Sequence, residues 1–355
     1  MAQRGHQVRV IAWDREGRYP ARETLDGVEI ERVAVRSAYG TGLCRLRQWP
    51  AYARYALTRL RQEDWHAVHC HDLDTLPIGF VYTRCRRTPL VFDAHESYPD
   101  LIAPQVPGWA AAIVRWMERF LLRHVDVVLT VGDLLGEHYR HWATQVVVVR
   151  NCQPPGPVLS EPATLRSEWL LQDVELVVCY VGGFTRGRVI LPLIEVVQAD
   201  PSLGLVLVGD GPQAQVLMEA IGDSSRIAYL GPRVPPDQVA DIMRAADVVY
   251  YGLRPDFPNN HFSSPNALYG ALEAGRPLLT TKVGEISQIV QEDGCGLVLP
   301  EPTVEAIGVA LAELRDPEMR AALAQRAERA AESKYNWKTS EANLLALYRD
   351  LWGSV

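Results

Sequence analysis

A glycine turn followed by two arginines is the strongest candidate for phosphate chemistry in this sequence. The segment YVGGFTRGR (180–188) ends an apolar run in Gly182 and Gly183 and then carries Arg186 and Arg188 before a helical pattern. Glycines let the backbone approach a phosphate closely, a helix N-terminus offers free N–H groups, and guanidinium groups bind phosphate oxygens in pairs. The two arginines are equally consistent with solvated side chains beside an ordinary turn.

A second candidate anion site lies in SSPNALYGALEAGRP (263–277). We expect Ser263 or Ser264 to cap a helix here, with Pro265 at its first position. Because parallel strands end at the same edge of a sheet, the amides of this helix would face the glycine turn across the strand ends.

Several common catalytic signatures are missing. No G-x-G-x-x-G turn follows a strand near the start, and GDGP (209–212), the closest match, lacks the third glycine and a suitable acidic residue. There is no P-loop, nucleophile elbow or H-E-x-x-H motif, so the sequence does not support redox, kinase or hydrolase chemistry. No pair of carboxylates has a spacing that suggests glycoside hydrolysis.

His69-Cys70-His71 contains metal-binding residue types. Alternate residues of a strand point to opposite faces, so at most the two histidines converge, and no second ligand pair follows. We therefore expect neither a metal nor any other cofactor.

Composition and charge limit the class of protein. The 355 residues are 48% hydrophobic and 22% charged, enough to bury two cores, and no apolar run is long enough to span a membrane. The start lacks the features of a signal peptide, and the six cysteines fall at irregular spacings, so we expect a cytoplasmic protein with reduced thiols. Residues 1–150 carry a net charge of +3 and the remainder −10, without a basic block dense enough for nucleic acid.

Short β-branched runs alternate with longer amphipathic segments along the whole chain. This pattern predicts an α/β fold of two doubly wound, Rossmann-like domains that face each other across a cleft at the carboxyl ends of their strands. The proline-rich segment 151–162 is the predicted linker between residues 1–150 and residues 163–333, and 334–355 is predicted to contain a final helix.

The first residues have the pattern of a helix tail, a glycine cap and then the second strand of such a domain. We therefore expect that about 20–25 residues, comprising a first strand, its glycine loop and most of a helix, precede this pattern in a complete domain.

The ordered motifs along the chain resemble the retaining glycosyltransferases of the GT-B type, family 4. The resemblance spans essentially the whole chain, and it is carried by the following segments: RGHQV, DWHAVHCHD (64–72), VFDAHE (91–96), RHVDVVLTVGDLL (123–135), VVVVRNC (146–152), VGGFTRGR, LVGDGP, YLGPRVPPDQVADIMRAADVV, SPNALYGALEAGRP, TKVGEISQIV and a closing KYNW helix.

The resemblance implies a nucleotide-sugar donor held mainly by the second domain and no metal. It implies that Arg188 contacts the diphosphate and that His95, flanked by Asp93 and Glu96, lies near the reacting sugar; His95 and Arg188 are the two implied catalytic residues. It also implies that the last helix crosses back to the first domain. The implied donor-binding residues are Gly182, Gly183, Arg186, Arg188, Arg233, Val234, Asn266, Ala267, Leu268, Glu273, Gly284 and Glu285.

The sequence departs from the family where two glutamates, eight positions apart, are usual. Phe262 and Gly270 occupy those positions, and Ala267 stands where a variant pattern has lysine. Glu273, one helical turn beyond Gly270, is the candidate replacement for a ribose-binding carboxylate.

Three functions follow as alternatives. The first is a transferase that moves a sugar to an acceptor hydroxyl in cell-surface polysaccharide or glycolipid synthesis. The second is a non-catalytic partner or regulator of the same fold, favoured by Phe262 and Gly270. The third is a sugar-nucleotide epimerase. The basic first half and the Trp- and Arg-bearing helix 107–124 leave open a lipid-linked acceptor and peripheral contact with the inner face of a membrane.

Overall fold

The computed structural model describes residues 1–36, 42–232 and 234–353, which form two α/β domains and a final helix. The predicted fold class is confirmed by this architecture. The elements of the first domain are β1 (Val8–Asp14), β2 (Arg22–Leu25), β3 (Val28–Ala34), α1 (Gly42–Leu60), β4 (Val68–His71), α2 (Leu76–Thr83), β5 (Leu90–Ala94), α3 (Tyr98–Ile102), α4 (Gly108–Leu122), β6 (Val127–Thr130), α5 (Asp133–Arg140) and β7 (Val146–Val148).

The strands of the first domain form two separate sheets. Strands β4, β5, β6 and β7 are parallel and adjacent in chain order, with His71 of β4 in register with Asp93 of β5. Strand β1 pairs in parallel with β3, and β3 pairs antiparallel with β2 through a turn at Asp26-Gly27, where φ is positive at both residues. The apolar runs in the sequence did not predict this hairpin. The edges of β1 and β4 are not paired with each other, and Val10 of β1 is 41% exposed.

The second domain contains one six-stranded parallel sheet in the order β10-β9-β8-β11-β12-β13. This is the strand order of a Rossmann fold, and its topological switch point lies between β8 and β11. The elements are α6 (Pro162–Glu168), β8 (Leu176–Val181), α7 (Leu191–Ala199), β9 (Leu203–Val208), α8 (Ala214–Ile221), β10 (Ile227–Tyr229), α9 (Pro236–Ala245), β11 (Val248–Tyr251), α10 (Asn266–Glu273), β12 (Leu278–Thr281), α11 (Gly284–Asp293), β13 (Gly296–Leu299), α12 (Val304–Glu313) and α13 (Pro317–Ser333).

Short 3-10 helices cover Ala2–Arg4, Ala103–Gln105 and Pro258–Phe262. No helix or strand occupies residues 149–161, which connect the two domains and largely coincide with the predicted linker. The connection is anchored to the second domain, because the backbone N–H groups of Leu159 and Ser160 donate to the buried carboxylate of Asp241 at 2.8 and 3.0 Å.

The final helix, α14 (Trp337–Gly353), packs on the first domain. Leu347 and Tyr348 are buried against Val91, Val127 and Leu129 on one face of the β4–β7 sheet. The Tyr348 hydroxyl also reaches the His69 imidazole at 2.7 Å. Helix α14 thereby contacts the strand ends that carry His69 and His71.

Candidate functional site

The glycine-arginine turn lies at the switch point of the second-domain sheet. It begins at Gly182, directly after β8, and Arg188 forms an antiparallel bridge with Leu253, just beyond the end of β11. Open parallel sheets bind ligands at this crevice, because the connections on either side run to opposite faces of the sheet. The sequence-predicted phosphate turn therefore lies where a Rossmann fold binds nucleotides.

Arg188 is held in a defined orientation. Its Nε donates to the Tyr251 hydroxyl at 3.2 Å, its Nη1 donates to Asn260 Oδ1 at 2.8 Å, and its guanidinium lies 5.2 Å from the centroid of the Tyr251 ring. Asn260 is buried, and its amide nitrogen donates to the carbonyls of Gly187 and Arg254, which fixes the direction of its oxygen. Arg186 is exposed. The structure therefore separates an oriented arginine from a solvated one.

GDGP (209–212) has a structural role beside this turn. Gly209 has a φ of +154°, and a Cβ on it would lie 1.9 Å from the carbonyl oxygen of Gly182. Only glycine fits there, so this turn lets β9 end against the turn that follows β8.

The first turn of α10 is the second predicted anion site, and its start differs from the prediction. The helix begins at Asn266 with Pro265 as N-cap, so neither Ser263 nor Ser264 caps it; the Ser264 hydroxyl instead bonds the Tyr269 hydroxyl at 2.6 Å. The serine prediction was wrong because a buried tyrosine competes for that hydroxyl. The Leu268 amide donates to the Pro265 carbonyl at 3.0 Å.

Because Leu268 already has an acceptor, the amides of Asn266 and Ala267 are the first-turn donors best placed for a ligand.

Three imidazoles surround one carboxylate oxygen at the strand ends of the first domain. Asp93 Oδ2 lies 3.2 Å from His69 Nε2, 3.0 Å from His71 Nδ1 and 3.4 Å from His95 Nε2. Burial acts to raise the pKa of Asp93, but hydrogen bonds from the three histidines outweigh it and lower that pKa well below its usual range. The hydrogen bond to Asp93 raises the pKa of His95. The cluster therefore holds His95 beside the cleft in a form that favours its protonated state.

His69, His71 and Asp93 also offer three donor atoms within 4.8 Å of one another. The strand pattern predicted that at most the two histidines converge. It did not predict Asp93, which the parallel pairing of β4 and β5 brings beside them. Two imidazoles and a carboxylate form a donor set that suits a divalent transition metal. Each donor is equally satisfied by the hydrogen bonds described above, so the donor set alone does not assign a metal.

Glu96 lies between the two domains. Glu96 is exposed, whereas Asp93 is half-buried. Partial desolvation and the charge of Asp72 raise the pKa of Glu96, whereas the nearby Arg188 of the second domain opposes that rise. A hydrogen bond from the Asn259 side chain also lowers the pKa of Glu96. Asn259 Oδ1 in turn accepts the backbone N–H of Ser97 at 3.1 Å. The structure thus brings His95, Glu96 and Arg188 to one cleft.

Glu285 contacts the other domain. It is 2% exposed, and its carboxylate accepts the backbone N–H of Leu134 at 3.1 Å, at the N-terminus of α5. Burial raises the pKa of Glu285, and the α5 amides oppose the rise. Gly284, before it, has a φ of +65° and faces the Asn260 carbonyl, where a Cβ would lie 2.4 Å away. Glu285 was expected to approach the donor sugar; in this structure its carboxylate is instead used at the domain interface.

The positions that depart from the family pattern are also occupied structurally. The Phe262 ring lies 4.9 Å from that of His138 and packs on the core of the first domain. A Cβ on Gly270 would approach Met243 Sδ to 2.8 Å. Glu273 lies 3.6 Å from Arg244 of α9 and receives a backbone hydrogen bond from Gly156. The structure therefore directs Glu273 toward α9 and the linker, not toward Arg188.

The remaining predicted base-binding positions follow β10. Val234 is half-buried against the core of the second domain. Arg233 lies outside the described residues.

Tyr251, Asn259 and Asn260 were missed by the sequence analysis. The only local signal was a pair of adjacent amides, PNNHF (258–262), in the loop after a predicted strand. Across the described part of the chain, no helix is both long and apolar enough to cross a bilayer.

Three enzymes with similar sequences are glycosyltransferases. A D-inositol 3-phosphate glycosyltransferase of Corynebacterium urealyticum is 33% identical over 141 residues, a match that spans 38% of this chain and 30% of that enzyme. One from Corynebacterium glutamicum is 28% identical over 328 residues, 83% of this chain and 74% of that enzyme. A phosphatidyl-myo-inositol mannosyltransferase of Mycolicibacterium smegmatis is 22% identical over 360 residues, 99% of this chain and 87% of that enzyme.

Solved structures agree on the fold. A sucrose-phosphate synthase from Thermosynechococcus elongatus superposes with a TM-score of 0.82 at 20% identity, covering 100% of this chain and 91% of that one. Anabaena Alr3699/HepE in complex with UDP-glucose superposes with a TM-score of 0.73 at 15% identity, covering 97% and 100%.

Two family descriptions divide the chain between them. Residues 1–152 match the glycosyl transferase 4-like domain, and residues 175–316 match the glycosyl transferases group 1 family. The first match coincides with the first domain, the second lies within the second domain, and together they cover most of the chain. The chain therefore belongs to the GT-B glycosyltransferases of family 4.

Proposed function

We propose that this protein transfers a sugar from a nucleoside diphosphate sugar to an acceptor hydroxyl with retention of anomeric configuration. The observation that carries the proposal is the oriented guanidinium of Arg188 at the switch point of the second sheet, held by Tyr251 and Asn260. Structural neighbours in complex with UDP and with UDP-glucose support a nucleotide-sugar donor.

In the proposed reaction, the bond between the anomeric carbon and the diphosphate breaks through an oxocarbenium-like state. The acceptor oxygen bonds to that carbon from the same face, and its proton passes to the departing phosphate oxygen. Arg188 and the amides of Asn266 and Ala267 stabilise the charge that develops on the diphosphate. This electrostatic role needs no metal, and we propose none.

His95 and Glu96 face the sugar from the first domain in this proposal. A protonated His95, held by Asp93, would donate a hydrogen bond to a sugar or acceptor oxygen, whereas Glu96 would accept a hydrogen bond from a sugar hydroxyl. Contact between the domains excludes water, which protects the donor from hydrolysis.

The acceptor we propose is a lipid-linked molecule in glycolipid or cell-surface polysaccharide synthesis. A relative described as a phosphatidyl-myo-inositol mannosyltransferase supports an acceptor of this class. We propose a cytoplasmic location, consistent with Cys70, Cys85, Cys152, Cys179 and Cys295 being free thiols.

A non-catalytic partner of the same fold is the second candidate function. It is favoured by Phe262 and Gly270, because neither position supplies a carboxylate and both are packed against neighbouring side chains. Such a protein would have no use for the Arg188 arrangement, so nucleotide binding distinguishes the two candidates.

The test is the thermal denaturation midpoint of the full chain with UDP, GDP, ADP, CDP or TDP, without added metal. A ligand that binds only the folded state raises the midpoint by mass action. At a ligand concentration of 100 times the dissociation constant, the free energy of unfolding increases by about 2.7 kcal/mol. We expect one nucleotide to raise the midpoint of the wild type but not that of the Arg188→Ala variant. We then expect the wild type to transfer the sugar from the corresponding sugar nucleotide. No rise with any nucleotide would contradict the transferase proposal and favour the non-catalytic candidate.

A further inference from the structure

Helix α4 carries a row of large apolar side chains on its outer face. Trp109 is 70% exposed, Ile113 56%, Trp116 69% and Phe120 42%. Their spacing of four, three and four residues places them on one side of the helix over about three turns. We call these four residues the α4 stripe. Single exposed apolar residues are ordinary on protein surfaces, but a continuous row of this size marks an interaction surface.

The opposite side of α4 is already used by the fold. Ala111, Leu121 and Leu122 are buried against the first domain, and Glu118, the only acidic residue of the helix, is buried with its carboxylate on the Tyr139 hydroxyl at 2.9 Å. The α4 stripe therefore cannot be explained as the core-facing side of the helix.

The stripe continues onto the end of α2. The Phe120 ring packs between those of Trp116 and Phe80, at 6.0 and 5.9 Å, and Val81, next to Phe80, is 43% exposed. Two helices thus contribute to one exposed apolar surface. A helix with exposed tryptophans and with arginines beside them can lie in the upper layer of a bilayer.

Three arginines lie at the margin of this surface. Arg84 lies 5.8 Å from the Phe80 ring, Arg119 lies 4.5 Å from the Trp142 ring, and both of these arginines and Arg123 are exposed. Within the described chain, no carboxylate oxygen lies within 4 Å of these three guanidinium groups, whereas Arg115, on a more buried side, is paired with Asp100 at 2.7 Å. Unpaired arginines around exposed tryptophans suit an interface that is negatively charged.

We propose that the α4 stripe is a docking surface for an anionic lipid bilayer, with α4 lying in the plane of the headgroups. Tryptophan is suited to this depth because its ring is apolar and its N–H remains close to water. The arginines at the margin would bind headgroup phosphates. The proposal stands apart from the proposed function, because lipid binding and nucleotide binding use different residues.

The docking surface adjoins the cleft. Asp100 of α3 joins the two, because it binds Arg115 of α4 and accepts the hydroxyl of Ser97 at 2.5 Å, and Ser97 in turn contacts Asn259 across the cleft. A bilayer seated on α4 therefore brings lipid headgroups to the same end of the first domain as His95 and Glu96. If the proposed transfer holds, this placement favours an acceptor carried by the membrane.

The test is sedimentation of the full chain with vesicles of phosphatidylcholine alone or of phosphatidylcholine mixed with phosphatidylglycerol, at low and high salt. We expect binding to the mixed vesicles at low salt. The double variant Trp109→Ala/Trp116→Ala should lower the partition coefficient about tenfold or more, because it removes the two largest apolar side chains from the interface. Arg119→Glu and Arg123→Glu should each lower it at least about fivefold, since each removes an attractive charge near the surface.

Tyr19→Ala is the matched control, because Tyr19 is an aromatic residue of the same domain that is 62% exposed far from α4 in sequence. It should sediment like the wild type. The double variant should keep the wild-type denaturation midpoint and nucleotide response, which shows that it is folded. Absence of sedimentation with the mixed vesicles, or an equal loss in Tyr19→Ala, would overturn the proposal. So would wild-type self-association that only the double variant abolishes, since the stripe would then bind a second copy of the chain.

Discussion

Replacing Arg188 with alanine tests the phosphate role of the strand-end turn most directly. Two of the five guanidinium N–H groups are engaged by Tyr251 and Asn260, which leaves three for a ligand. A pair of charged hydrogen bonds to a diphosphate contributes about 3 kcal/mol, so the variant should bind the nucleotide about 100-fold more weakly. Isothermal titration calorimetry with the nucleotide that raises the denaturation midpoint measures this change.

Arg186→Ala provides a matched control for the loss of charge. It removes the same positive charge two residues away, but Arg186 is exposed, so it should weaken nucleotide binding less than about fivefold. Asn260→Ala keeps the charge of Arg188 and removes a partner that orients it, so its effect should lie between the other two, at about tenfold.

The order of the three losses in nucleotide affinity decides whether geometry or general charge accounts for binding. If Arg186→Ala weakened binding as much as Arg188→Ala, general charge would account for the affinity and the geometry at the switch point would be irrelevant. If Arg188→Ala stayed within about threefold of the wild type, Arg188 would not contact the diphosphate.

Three further predictions concern the interface, the first-domain core and metals. Glu285→Ala should lower the free energy of unfolding by about 2–3 kcal/mol in thermal denaturation, because it leaves the α5 amides unpaired, whereas Glu285→Gln should lower it by about 1 kcal/mol. Equal effects of the two variants would contradict this reasoning. Burial raises the pKa of Glu118 from 4.5 to about 7. The contribution of Glu118 to the free energy of unfolding is therefore most favourable below its pKa in the unfolded chain, and it is lost as the pH rises through 7. Between about pH 5 and about pH 8, the free energy of unfolding of Glu118→Gln in urea denaturation should therefore rise by about 3 kcal/mol relative to that of the wild type. A difference between the two proteins that does not change with pH would refute this prediction. EDTA should leave sugar transfer unchanged; loss of activity that Zn²⁺ restores would instead assign a metal to His69, His71 and Asp93.

The sequence alone was sufficient to predict most strands, because a buried parallel strand requires a continuous β-branched or aliphatic run. Strand β8, with Leu176 and Val177 fully buried, is typical. The β2–β3 hairpin was missed even though Asp26-Gly27 is a strong turn signal. Strand β2 has the sequence Arg-Glu-Thr-Leu, and the first four residues of β3 alternate between apolar and charged. Both strands are mostly exposed or half-buried, so they lack the apolar run on which the prediction relied.

The sites were harder to predict than the strands, because they depend on which strands become neighbours. Arg188 meets Tyr251 only because β8 lies beside β11, and Asp93 meets His71 only through the register of β4 with β5. No local pattern encodes either pairing. The contact of Glu285 with the Leu134 amide depends on how the two domains pack against each other. No local sequence pattern predicts that packing.

The segment Pro258–Phe262 connects the domain interface to Arg188. Asn259 accepts a hydrogen bond from Ser97 of the first domain, Asn260 orients Arg188, and Phe262 packs on the first-domain core. Because these three residues share one short 3-10 helix, we expect that separation of the two domains would also move Asn260, the partner of Arg188. This arrangement gives a physical reason for the absence of a carboxylate at position 262. Phe262 packs on the core of the first domain, two residues after Asn260, which binds Arg188.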